Sequence, residues 1–267
     1  MNAPEDGNPA SGRLVCVGVG MTMGAHIAPR ARSHIEQADV VFSAMSDPIV
    51  ELWVQGMNQN VRSLQPLYRE GKPRRETYRE MVDAMMMEVR RGLRVCGAFY
   101  GHPGVFAQVP HAAVAKARAE GYQASMEAAV SAEDCLYADL GIDPGAVGCQ
   151  HFEASQFMFY VRRIDPSAYL ILWQIGVAGD LTTGRLSTVA GVKGVLVELL
   201  QADYPLSHPV IAYEAATLPI STPRIDRFPL DQLPTAALTA ATTLVIPPAL
   251  PMRRNEWVVE RLRLMGG

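Results

Sequence analysis

The string Tyr100-Gly101-His102-Pro103-Gly104-Val105-Phe106 follows an apolar run, 93–99, with the texture of a buried strand. The strand therefore ends in a turn carrying glycines and a proline beside a tyrosine and a histidine. Gly101 and Gly104 can take backbone angles closed to other residues, and Pro103 fixes the path between them. Such a turn lets bare backbone approach a small ligand, with Tyr100 and His102 as polar markers. By itself it also reads as a tight structural corner. The company it keeps elsewhere in the chain favours the functional reading.

One companion is Tyr68-Arg69-Glu70-Gly71-Lys72-Pro73-Arg74-Arg75-Glu76-Thr77-Tyr78, between a strand-like 60–64 and a helix beginning near Arg75. A solvated charged loop has the same composition. Tyr78, however, falls on the first turn of the helix, in reach of the loop behind it. Two phenols and a guanidinium within eleven residues can polarise one weakly acidic group. A phenol titrates near pH 10, and a nearby cation favours its phenolate. The other companion is Ala128-Ala129-Val130-Ser131-Ala132-Glu133-Asp134. Ser131 can cap the helix that follows, with Asp134 completing a capping box. The same helix start can present backbone N–H groups and a hydroxyl to a ligand.

Gly18-Val19-Gly20, with Gly24 four residues on, misses the dinucleotide fingerprint, whose third glycine comes three residues after the second. The simpler reading is a strand end lining a cleft. His26, His34, His111 and His208 stand in no motif and read as surface or packing residues. His151 opens an aromatic-rich stretch through Phe157 that could line a groove. Metal-ligand spacing is absent. Cys16, Cys96, Cys135 and Cys149 form no C-x-x-C pair, which disfavours disulfide and zinc frameworks. The expected compartment is the reducing cytoplasm.

Strands expected at 14–19, 40–44, 93–99 and 123–126 alternate with helices at 26–38, 48–57, 75–91 and 109–120. Met81, Val82, Met85, Met86 and Val89 recur at helical spacing, and Gly92 stops that helix. This alternation argues for βαβ units and a largely parallel sheet. After a helix at 132–140 the texture changes around Gly141-Ile142-Asp143-Pro144-Gly145. Strands at 168–175, 209–214, 223–230 and 242–246, with helices at 191–202 and 231–237, describe a second α/β domain with antiparallel pairing. Pro247, Pro248 and Pro251 break that sheet, and a closing helix runs over 255–264. The domain plan is a tail (1–12), an amino-terminal domain (13–131), a carboxyl-terminal domain (132–249) and a final helix (250–267).

The 267 residues are 49% hydrophobic and 19% charged, as in a packed globular protein. A net charge of −3 offers no footprint for nucleic acid or an anionic membrane. No apolar run reaches 18 residues, so no bilayer span is expected. Residues 1–12 lack the basic-then-apolar order of a signal peptide and read as a disordered tail.

In this order the clusters resemble the tetrapyrrole-methylase superfamily of S-adenosylmethionine enzymes. The nearer match is to borosin-type peptide backbone α-N-methyltransferases. It is carried by Tyr68, Gly71-Lys72, Arg74 and Tyr78, then by Phe99 to Phe106 and by Val130-Ser131-Ala132-Glu133-Asp134-Cys135-Leu136. Ala138-Asp139-Leu140, Ile142-Asp143-Pro144, Phe152-Glu153-Ala154-Ser155, Trp173-Gln174 and Ile246-Pro247-Pro248 complete it, over about 13–248. Where the superfamily usually has Pro-Gly before the third cluster, this chain has Ala128-Ala129, which bears on the shape of that loop. Fused members carry their own substrate after a long extension. Here 19 residues follow Pro248, so the split form, acting on a separate precursor peptide, is expected.

The resemblance implies two α/β domains with the cofactor cleft between them, in a tetrapyrrole-methylase-like fold. It implies S-adenosylmethionine as donor, S-adenosylhomocysteine as product, no metal, a precursor peptide supplied in trans, and a homodimer or a heteromeric complex with the precursor. Tyr100, His102, Val105 and Phe106 would form one wall of the cleft, and Ser131 and Ala132 another. Gln174, Ala212, Tyr213, Thr242 and Thr243 would come from the second domain. Tyr68, Arg74, Tyr78 and Tyr100 would be the catalytic set, with Arg74 at the amide oxygen and Tyr78 or Tyr68, acidified by Arg74, taking the proton. The alternatives are a small-molecule (corrin-like) methyltransferase of the same fold and a non-catalytic peptide-binding partner.

Overall fold

The computed structural model describes residues 12–181, 184 and 187–266. The expected disordered tail lies outside the described residues, except Gly12, which is buried with its α-carbon against the Val89 carbonyl. Two compact units emerge. The first holds the chain through Ile142 together with Asp180–Ser187 and Tyr213–Ile225; the second holds Asp143–Gly179, Thr188–Ala212 and the chain from Asp226 on. The division falls at the change of texture after Ile142 and not before Ala132. The reason is that the helix at 132–140 packs with the first unit, its Leu136 fully buried and its Asp139 bonded to Tyr213.

The first unit contains β1 (Arg13–Gly18), α1 (Pro29–Gln37), β2 (Val40–Ala44), α2 (Pro48–Gln55) and β3 (Val61–Ser63). It continues with α3 (Arg74–Arg90), β4 (Arg94–Phe99), α4 (Gln108–Ala119), β5 (Gln123–Met126) and α5 (Ala132–Leu140). The sheet order is β3-β2-β4-β1-β5, every pair parallel. Parallel strands covered on both faces read as unbroken apolar runs, and β2 is buried along its whole length.

Side-chain alternation sorts the strands onto two cores. Leu14, Cys16, Val40, Phe42 and Val95 face α3 and α4, where Met81, Met85, Val89, Val109 and Ala113 meet them. Val17, Val41, Cys96 and Ala98 face the other way, against Ala31, Ile35, Val50 and Val54 of α1 and α2. Met85, fully buried, lies over bare Gly97; a Cβ there would stand 3.1 Å from its sulfur. Helix α1 starts later than the expected 26, because Pro29 occupies its first turn and holds Ala28 extended.

The second unit contains α6 (Pro144–Val147), β6 (Cys149–Glu153), α7 (Ala154–Phe159), β7 (Tyr169–Trp173) and α8 (Ala190–Leu200). Strands β8 (Pro209–Glu214) and β9 (Arg224–Pro229), whose residues 213–214 and 224–225 count with the first unit, then β10 (Thr243–Ile246) and helix α9 (Glu256–Leu264), follow. The sheet order is β6-β7-β10-β8-β9. Strand β10 runs antiparallel to β7, as expected, but β6 runs parallel to it. Strand β6 was not legible because Cys149-Gln-His-Phe-Glu153 is half-buried throughout and shows no alternation. Among the described residues no helix is long and apolar enough to cross a membrane.

Met85→Ala should destabilise the protein by about 2–5 kcal/mol, since it opens a cavity where α3 meets the sheet. Denaturant unfolding followed by circular dichroism measures this.

Candidate functional site

The carboxyl ends of β1 and β4 are joined backbone to backbone. Val19 N–H donates to Phe99 O at 2.9 Å, Gly101 N–H to Gly20 O at 2.9 Å and Gly20 N–H to Gly101 O at 3.3 Å. Gly20 and Gly101 sit at φ of 76° and 63°, where a side chain is strained. Gly18 is excluded from bearing a side chain by space instead. A Cβ there would lie 2.1 Å from Gly101 O, 2.6 Å from Ala129 Cβ and 2.8 Å from Pro103 Cδ.

Gly104, expected to need a special angle, does not take a positive φ. It is small for want of room, with Met126 Sδ 2.9 Å from where a Cβ would stand. Besides Gly101, the left-handed residue of the turn is Phe106, at φ 48° and 42% exposed. Gly104 N–H donates to His102 Nδ1 at 2.9 Å, so in the neutral ring the proton resides on Nε2. His111 of α4, expected to be a surface or packing residue, is exposed and places Nε2 2.9 Å from Gly104 O, which ties the turn to the helix.

Helix α5 opens with the capping box read from the sequence. Ser131 Oγ accepts from Asp134 N–H at 3.3 Å, and Asp134 Oδ2 accepts from Ser131 N–H and Oγ–H, both at 2.7 Å. Burial pulls the Asp134 carboxyl upward. Hydrogen bonds from Ser131 outweigh it, with help from His102, and hold the carboxyl below the usual range. Asp134 and Ala128-Ala129 line a crevice of about 440 Å³ with Ala25, His26 and Ala28. That volume suits a small-molecule site, about 300–1,000 Å³. The crevice lies past the carboxyl ends of β1 and β5, where open α/β sheets bind ligands. A second crevice of about 380 Å³ flanks the amino-terminal halves of the same strands and holds none of the motif residues.

Tyr68 and Tyr78 pack edge to face, ring centres 6.4 Å apart, over the α3 side of the core. Arg74 begins α3 and Tyr78 follows four residues on, so both lie on one helix face. Burial raises the Tyr68 phenol, and the neighbouring Tyr78 and Tyr100 raise it further; Arg74 acts in the opposite direction without prevailing. This corrects the expectation that Arg74 acidifies Tyr68. Tyr100 is 47% exposed as a residue, yet burial around its hydroxyl and the nearby Tyr78 raise it as well. Tyr68 and Tyr100 are therefore neutral hydrogen-bond donors at pH 7. Pro73 provides no side-chain cap for α3, so the positive end of the helix and Arg74 coincide.

In the second unit Gln174 is left-handed at φ 59°, directly after β7. Its neighbour Ile175 N–H donates to Thr242 O at 3.1 Å, and Thr242 Oγ accepts from Thr239 N–H at 2.7 Å. Thr242 and Thr243 are buried, and so is Ala212. Tyr213, which counts with the first unit, is also buried; its hydroxyl donates to Asp139 Oδ2 at 2.7 Å, so its phenol acts as a strut for α5. Among the described residues no group of three or more His, Cys, Asp or Glu side chains is arranged to hold a metal ion.

Residues 13–234 match the family of tetrapyrrole (corrin/porphyrin) methylases. The chain belongs to this family. It is similar to the methyltransferase/ribosomally synthesized cyclic peptide gymnopeptides precursor gymMA1 of Gymnopus fusipes, 40% identical over 96% of this chain and 62% of the relative. It is also similar to the methyltransferase/ribosomally synthesized type I borosin cyclic peptide precursor cmaMA of Coprinopsis marcescibilis, 39% identical over 96% of this chain and 67% of the relative. The chain thus spans about three-fifths to two-thirds of the length of these curated relatives. Among solved structures, uroporphyrin-III-C-methyltransferase from Thermus thermophilus superposes with a TM-score of 0.61 at 19% identity, over 92% of this chain and 99% of that one. That likeness shows the fold.

The crevice also has residues around it that belong to no motif of the sequence. His26 was expected to be a surface or packing residue; it lines the crevice and its Nδ1 accepts from Thr22 N–H at 3.2 Å. Thr22 Oγ–H donates to Ala216 O at 3.0 Å, fixing the crevice wall from 194 residues away. No local pattern could disclose such a pair. The left-handed Phe106 and Gln174 likewise carry no local signal, since neither is glycine.

Gly18→Ala should cost at least about 1–3 kcal/mol, the range for overpacking, because two of its three close neighbours are backbone or ring atoms. Thermal unfolding checks it. Ser131→Ala should cost about 1 kcal/mol at pH 7. Part of that gap comes from Asp134, whose folded carboxyl is held low. Its contribution is complete above the unfolded value, about 3.9, and is lost as pH falls through the folded one. The difference between the two proteins should therefore narrow below about pH 4, as unfolding titrations at several pH values would show.

Proposed function

We propose that this chain transfers methyl groups from S-adenosylmethionine to backbone amide nitrogens of a ribosomally made precursor peptide. The peptide reaches it as a separate chain, and the working form is a homodimer. The observation that carries the reading is the convergence of Tyr68, Arg74, Tyr78 and Tyr100, with Arg74 and Tyr78 on one face at the open end of α3. The names of the curated relatives, methyltransferases joined in one chain to cyclic peptide precursors, support the peptide substrate.

Small side chains at Ala25, Ala28, Ala128 and Ala129 line the crevice of the first unit and leave room there for a small ligand. His102, Val105, Phe106, Ser131 and Ala132 would hold it, as the resemblance implies; the crevice itself is lined by Ala129, Val130 and Asp134 beside Ser131. Gln174, Ala212, Thr242 and Thr243 remain candidates through the resemblance alone. When bound, S-adenosylmethionine supplies an electrophilic methyl group on a sulfonium.

An amide nitrogen shares its lone pair with the carbonyl and is a poor nucleophile. To become reactive it must lose its proton while charge gathers on the carbonyl oxygen. Arg74 stays charged and offers forked donors to that oxygen, at the end of α3 where the helix field also favours an anion. The neutral Tyr68 phenol adds a donated hydrogen bond to the same oxygen. Tyr78, one helical turn from Arg74, receives the amide proton at its hydroxyl oxygen while its own hydroxyl proton passes to solvent. Tyr100 orients the amide.

Incubation with a precursor peptide and cofactor, read by tandem mass spectrometry, should show methyl groups on peptide nitrogens and none on the chain itself. Arg74→Ala and Tyr78→Phe should each lower the rate by about 10²-fold or more. Calorimetry should find cofactor affinity nearly unchanged. Wild-type turnover in either variant would overturn the role assignment. Methylation of a tetrapyrrole and not of peptide would overturn the substrate class.

A further inference from the structure

We propose that Lys72 is a positioning residue that holds the Tyr68–Arg74–Tyr78 constellation together from behind. The inference deepens the proposed methyl transfer and rests on it. The loop between Tyr68 and Arg74 is a short excursion whose two ends must be brought close for the phenols to meet. Lys72 sits within it and turns its ammonium inward, the side chain only 14% exposed. Nζ donates to Leu67 O at 3.0 Å, the carbonyl just before Tyr68, and to Glu80 Oε2 at 2.5 Å, on α3 just beyond Tyr78. One cation thus spans the strand side and the helix side of the pair.

The surroundings agree with this role. Thr77, buried one residue before Tyr78, brings its hydroxyl to the same Leu67 carbonyl at 3.5 Å. Lys72 N–H donates to Arg69 O at 3.2 Å, and Gly71, left-handed at φ 78°, donates its N–H to Gly184 O at 3.0 Å. The loop is therefore closed on itself and anchored. A surface lysine paired with a carboxylate contributes little to stability, up to about 1 kcal/mol. Burying a lysine stem and binding a main-chain carbonyl with the head serves geometry instead. The Tyr68 ring follows the Leu67 carbonyl directly, so a shift of that carbonyl moves the phenol relative to Arg74. Misplacement by about 1 Å can cost about 10²-fold in rate.

The test uses the full chain with Lys72→Met, Lys72→Arg and Glu80→Gln. In Lys72→Met, kcat with a precursor peptide should fall by about 10²-fold while cofactor affinity by calorimetry holds. Lys72→Arg, which keeps a cation able to reach both acceptors, should recover most of that loss. The second readout does not depend on turnover: ring-labelled tyrosine NMR, with the Tyr68 signal assigned by its absence in Tyr68→Phe. In the wild type Tyr68 should stay neutral through pH 10; in Lys72→Met, its loop released, it should begin to titrate near about 10. Unchanged kcat, or a lost rate with an unmoved Tyr68 signal, would overturn the proposal. Should Lys72→Met not fold, Glu80→Gln decides by the same two readouts, with a smaller shift in the same direction expected. A wild-type chain that methylates no peptide would sink the functional reading, while the NMR arm would still decide on Lys72.

Discussion

No side chain fits between the carboxyl ends of β1 and β4, and the site takes its shape from that exclusion. Gly18, Gly20 and Gly101 bring two backbones to hydrogen-bonding distance outside the sheet proper. The parallel ladder would otherwise stop at Gly18 and Phe99, leaving both chains to diverge into loops. An isolated antiparallel bridge between Gly20 and Gly101 joins them again two residues further on. Tyr100 is thereby fixed: its N–H donates to Ala44 O at 3.2 Å, on the neighbouring β2. Backbone bonds to two different strands therefore fix the turn that bears Tyr100 and His102. The same bareness admits Ala129. Its methyl lies over the Gly18 α-carbon, so the Ala128-Ala129 departure from Pro-Gly is accommodated by the glycine opposite it.

The phenols are governed by a contest between burial and charge. Sequence spacing suggested that a guanidinium near a phenol would make it acidic. In the structure that attraction exists for Tyr68 but is the smaller effect, because desolvation and two neighbouring phenols act together against ionisation. Phenols that stay neutral are donors suited to a carbonyl oxygen on which charge accumulates, the part proposed for Tyr68. The proposed proton acceptor, Tyr78, is set by helical spacing one turn from Arg74.

The parallel half of the fold was legible because both faces of its sheet are covered. Runs such as Val40-Val41-Phe42 can be read as strands without knowing their partners, and Gly92 stops α3 as its φ of 87° requires. The capping box of α5 was legible for a similar reason, being a contact between residues three apart. What escaped was non-local. Strand β6 earns its assignment only beside β7, and Thr22 and Met23 are held by the carbonyls of Ala216 and Thr217, far along the chain. Lys72 could be quoted as part of a motif, but its partners at 67 and 80 belong to no helical or strand period.

Local rules are broken where the motifs lie. Arg74 and Arg75 occupy the first turn of α3, where the helix field disfavours cations by a few tenths of a kcal/mol to about 1 each. Phe106 and Gln174 hold left-handed angles that non-glycine residues avoid, and among the described residues they are the two that do so. Such conformations persist when surrounding packing over-determines them. At Gln174 that packing is visible: Gly176, two residues on, lies so close to the Thr239 carbonyl that a Cβ would stand 1.8 Å from it. The turn cannot relax without moving the 239–242 loop. At Phe106 the preceding turn is held by His102, His111 and the Gly20 bridge, so strain falls on the next free torsion. A chain under no constraint but stability would place glycine at both positions. Side chains at these two points are informative because a large ring and an amide are kept where geometry argues for neither.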